Sequence, residues 1–243
     1  MKTTVKTILI PLIAAASCMA DQPATPATPA PPPSPAAPPA TGDLLKKTGD
    51  IMMHYFQHPD PGIIGELIID VSKAFPDTRK CNAIPSMIVF FGEIFQSNPG
   101  RVDEWMKTAS SLPEDWQQIF RTALQYAQGK IPDVSTAQTA GPSTLDACWG
   151  GYLASGDKKY PEAVLRIACS DEPENSLDVT IRAAAWSASS FIMQYDEMKK
   201  IAREFFADAT ERQKLNFAGR TNEEVQKTVF GTVLKPEKET DDE

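Results

Sequence analysis

Two histidines, His54 and His58, stand four residues apart in HYFQH, the helical spacing that sets two imidazoles side by side for a divalent metal. Tyrosine follows the first where a zinc protease has glutamate, and only Asp60 stands near as a further ligand. The pair therefore reads as histidines at a helix end, facing its last carbonyls, and no metal is expected. Ser155-Gly-Asp-Lys158 matches S-x-x-K and Lys47-Thr-Gly49 spells K-T-G, elements of penicillin-recognising serine enzymes. Their chain order is reversed and no S-D-N joins them. No G-x-S-x-G and no phosphate-cradling glycine loop occurs among the 13 glycines, so no cofactor is implied. Carboxylates remain. Glu93 interrupts an apolar run, and Asp146 and Asp157 flank a segment carrying Trp149 and Tyr152. Two such acids in one cleft would give a hydrolase its acid and base. Trp149, Tyr152, Arg182 and Trp186 are candidates for a groove accepting a peptide or sugar, although aromatics at helical spacing serve more often as core.

The four cysteines are Cys18, Cys81, Cys148 and Cys169. Cys148 and Cys169 flank the Gly156-Asp157 break at similar distance, so a helical hairpin would bring them level for a disulfide in an oxidising compartment. Against that, Cys169 lies about 180° from the Tyr160/Ile167 stripe, at about 100° per residue. Two small buried hydrophobes is the favoured reading.

Residues 1–20 have the pattern of an export signal: a positive start, MKTTVK, an apolar run, TILIPLIAAA, and small residues, SCMA. The run falls short of the roughly 20 apolar residues of a membrane span. Cleavage after Ala20 is one outcome. Alternatively, Ala15-Ala16-Ser17-Cys18 resembles a lipobox, which would make Cys18 a lipidated first residue and the protein's only membrane contact. Residues 21–42 form a proline-rich linker, with nine prolines and no large apolar side chain before Gly42, extended at about 3.1 Å per residue. Residues 233–243 are an acidic tail. The net charge of −8 and the lack of a basic cluster exclude nucleic acid as a partner.

The elements that must position these residues are helices. With 42% hydrophobic residues, 43–232 can bury a substantial core, and its apolar spacing is helical almost throughout. The fold class is all-α, with nine or ten helices packed as hairpins, in a bundle or a short α-solenoid. Two lobes are expected, 43–128 and 144–232, joined by the turn-rich GKIPDVSTAQTAGPS. Met87, Ile88, Val89, Phe90, Phe91, Ile94 and Phe95 occupy nearly all sides of one helix, which should be central. LDVTIRAAAWSASSFIMQY, with Trp186 and Met193 opposite its alanine face, is expected to be a second two-sided helix. The tenth helix lies near 221–230.

Trp149, Tyr152, Gly156 and Asp157 are faintly like a tetratricopeptide first helix, but no 34-residue period recurs. Three blocks, FFGEIFQSNPGRVDEW (90–105), LDACWGGYLASGDKKY (145–160) and RAAAWSASSFIMQY (182–195), resemble a family of uncharacterised helical bacterial proteins. That family has W-G-x-x-x-A-[ST]-G-D in the middle block and A-A-x-W-S-x-x-S-x-x-x-Q-[HY] in the last. The likeness spans about 90–200 and implies an all-α fold but no activity. Tyr195 stands where histidine is common, so no role for a ring nitrogen carries over. The sequence thus leads to an exported, non-catalytic binding or scaffold protein of the bacterial envelope, whose partner is another envelope protein. A periplasmic hydrolase using an acid pair is the alternative.

Overall fold

The structure, a computed structural model, describes residues 41–136, 141–171 and 179–235. The expected export signal with Cys18, almost all of the proline-rich linker and most of the acidic tail lie outside the described residues. Eleven α-helices and no strand are present among them. In chain order these are α1 (Thr41–His54), α2 (Ile64–Ala74), α3 (Ile84–Ser97), α4 (Val102–Ala109), α5 (Glu114–Ala127) and α6 (Pro142–Ser155). They continue with α7 (Lys159–Ala168), α8 (Val179–Gln194), α9 (Asp196–Ala207), α10 (Glu211–Ala218) and α11 (Glu223–Phe230).

Local chemistry sets the helix ends. The Asn222 side chain accepts from Val225 N at 2.9 Å and starts α11. Thr210 and Gln213 form a reciprocal capping box that starts α10, a helix the apolar pattern does not reveal. Gly156, at φ 69°, stops α6 in the left-handed region that residues with a Cβ avoid. Between elements, Lys47 of α1 reaches Glu66 at 2.6 Å and Asp70 at 2.8 Å on α2. The turn that leaves α1 is clipped to α6, with Phe56 N–H donating to Leu153 O at 3.0 Å.

Two helices lie at the centre. On α3, Met87 and every residue from Val89 to Phe95 are buried, as the sequence leads one to expect. Its most extensive partner is α6, on which Leu145 and Ala147 through Ala154 are all buried. Gly150 is what lets them close: a Cβ there would lie 2.1 Å from the Ser86 carbonyl oxygen, so the two backbones touch. The second central helix is therefore α6 and not α8, which corrects the expectation. On α8 only the side with Ile181, Ala184, Ala185, Ala188, Phe191 and Ile192 is buried, and Trp186 faces out. One apolar core runs through both halves of the chain and includes residues of α2, α3, α5, α6, α7, α8 and α9.

Candidate functional site

Glu93 sits inside this core, on the buried face of α3. A carboxylate there must be held by donors, because stripping water from a charge is far more costly than any one contact returns. Tyr160, on α7, donates its hydroxyl to Glu93 Oε1 in a short hydrogen bond. The Tyr126 hydroxyl, from α5, stands 3.5 Å from the same oxygen and 2.7 Å from the Tyr160 hydroxyl. Lys159 closes the outer side. Its Nζ lies 3.8 Å from Glu93, 3.1 Å from Asp133 and 3.6 Å from Asp157, and 4.7 Å from the centre of the Tyr160 ring.

Glycines make room for both phenols. A Cβ on Gly92 would come within 2.6 Å of the Tyr126 ring, and one on Gly151 within 2.4 Å of the Tyr160 ring. The cluster thus gathers α3, α5 and α7 with the connector around Asp133 and the turn holding Asp157. Of its six side chains, the sequence singled out only Glu93 and Asp157. Tyr126, Lys159 and Asp133 were passed over, and Tyr160 was read as part of an apolar stripe. The available signal was the two mid-helix glycines, since such glycines mark a close approach.

The protonation of these groups indicates what the cluster does. Burial, then the hydrogen bonds to Glu93 and Tyr126, push the Tyr160 phenol well above its usual value. Burial likewise raises Tyr126. Burial pulls the Lys159 ammonium down, but its hydrogen bond to Asp133 and the charges of Glu93, Asp133 and Asp157 outweigh that and raise it. Burial works to raise Asp133, yet the Ser135 and Lys159 hydrogen bonds hold its carboxyl below the usual range. Proton transfer near neutrality needs groups that titrate there. Each of these four is moved away from it, and their contacts with Glu93 and Lys159 tie α3, α5 and α7 together.

The three acids proposed for a hydrolase do not meet. Glu93 and Asp157 share Lys159, but Asp146 lies near the start of α6, about 16 Å along the helix from Asp157 by its rise per residue. Ser155 Oγ donates to Gly151 O at 2.8 Å and accepts from Asp157 N at 3.1 Å, closing the helix end. Lys158 turns instead to Glu162 and Glu204, at 3.5 and 3.8 Å. His54 Nδ1 lies 3.3 Å from Gln57 Oε1, and His58 is exposed. Among the described residues no group of three or more side chains could hold a metal ion.

The expected groove is divided. Trp149 and Tyr152 are each 1% exposed; Trp149 stacks on Phe191 at 4.0 Å and Tyr152 packs on Phe56 at 4.9 Å. Arg182 and Trp186 are on the surface. Arg182 lines a cleft of about 510 Å³ with Gly219, Arg220, Thr221 and Asn222. The four residues form no common groove, because α6 sinks into the core and takes its rings with it. Cys148 and Cys169 are both free and buried, and burial pushes each thiol up to about 12. Cys148 Sγ stands 4.0 Å from Val134 O, whereas the Cys169 thiol feels the charge of Arg220. The two thiols thus have different neighbours.

The surface offers a different feature. Among the described residues four large hydrophobic side chains are exposed, and three of them lie on α8: Val179 (69%), Trp186 (58%) and Met193 (36%). Seven-residue intervals put all three on one side of the helix. The fourth, Leu215, is on α10. Comparison with protein-family models, curated proteins and solved structures finds no match for this chain.

Proposed function

We propose that this protein is exported and acts without catalysis, as a binding or scaffold module of the bacterial cell envelope that docks another envelope protein on the outer face of α8. One observation carries the reading: Val179, Trp186 and Met193 form an exposed apolar line on a helix whose other side is fully packed. A tryptophan left in water at the middle of such a line is the usual anchor of a protein interface. Non-catalytic action is supported by the cluster around Glu93, in which Tyr126, Tyr160, Lys159 and Asp133 are each shifted away from neutrality. Export rests on the pattern of residues 1–20.

The docking claim is tested by affinity capture from envelope extract with the full chain and its Trp186→Asp variant. The variant is expected to lose the captured partner while its circular dichroism melt is unchanged. Identical capture by both would remove α8 from the reading. Mass spectrometry of the mature N-terminus tests the address. A diacylglyceryl group on Cys18 means a lipid anchor, a start at Asp21 means simple cleavage, and an intact Met1 on a cytosolic chain overturns export.

A further inference from the structure

We draw no further inference here: the strongest candidate, the cleft that Arg182 of α8 lines with Gly219, Arg220, Thr221 and Asn222 at the start of α11, carries nothing, because it is a helix N-terminus beside two arginines that are both already engaged, Arg220 with the Ala168 carbonyl oxygen at 2.8 Å among its partners.

Discussion

Helices α6 and α8 are built from similar parts and meet opposite fates. Each has a single tryptophan among alanines, serines and other small residues, with few charges. Yet Trp149 is sealed against Phe191 while Trp186 stands in water. The difference lies in where the small residues fall. On α6, Gly150 and Gly151 lie beside the tryptophan, so that the Ser86 backbone and the Tyr160 ring close over the side an amphipathic helix leaves wet. On α8 the alanines 184, 185 and 188 all face the core, and on the opposite side Val179, Trp186 and Met193 stay exposed, with Thr228 of α11 reaching only Met193 among the described residues. Small residues, more than large ones, mark which face of a helix is approached.

Truncation gives the largest expected contrast. Trp149→Ala should destabilise the fold by about 4 kcal/mol, whereas Trp186→Ala should stay within about 0.5 kcal/mol. Urea midpoints measure both, and comparable losses would erase the distinction between the helices. Adding one methyl comes next. Gly150→Ala drives a Cβ into the Ser86 carbonyl and is expected to lose about 3 kcal/mol, while Ser190→Ala on the α8 face should be near neutral.

Third, Glu93→Gln should lose about 2 kcal/mol, since it removes the charge that the two phenols and Lys159 satisfy. Combined with Tyr160→Phe the losses should fall short of additivity by about 1 kcal/mol, and strict additivity would mean that no network exists.

Alkaline pH supplies the smallest effect. The folded thiols of Cys148 and Cys169 titrate near 12, against 9.0 for an ordinary thiol. A raised folded value stabilises fully below the unfolded one and is lost as pH climbs toward the folded one. Stability should thus hold up to about pH 9 and fall toward pH 12, by about 1 kcal/mol per thiol at pH 10. Cys148→Ala should shallow that fall; an unchanged slope would show that the α6 thiol contributes nothing.

The class of fold was legible because the apolar spacing of α2, α3, α5 and α9 repeats at 3.6 residues whatever the helices pack against. The central role of α3 was legible because Phe90, Phe91 and Phe95 surround it with large side chains. That of α6 was not, since glycine adds nothing to a count of apolar residues although at Gly150 it lets the α3 and α6 backbones touch. Helix α10 was missed because ERQKLNFA buries only Phe217 and Ala218; the capping box Thr210/Gln213 was its local mark. At the candidate site, Glu93 stood out as a lone acid on an oily helix. Its phenol partners lie 33 and 67 residues away, and no local pattern links such distances. The exposed line on α8 was present in the sequence at seven-residue intervals. It was read as a second core face because hydrophobicity alone does not say whether a neighbour exists.

The attachment of α1 has a mechanical consequence. Any load transmitted through residues preceding Thr41 enters the fold along α1, whose charged contacts with α2 are the exposed pair of Lys47 with Glu66 and the pair of Lys47 with the buried Asp70. Salt weakens the exposed pair with Glu66, so α1, held otherwise by Asp70 and by the packing of Ile51, Met52 and Met53, should peel away more readily at high ionic strength. Peeling is expected to halt at Phe56, where the bond to Leu153 and the contact with Tyr152 join the turn after α1 to α6. A force–extension trace with a shallow, salt-sensitive first step before the main rupture would display this fuse, and rupture in a single step would show that α1 and the core yield together.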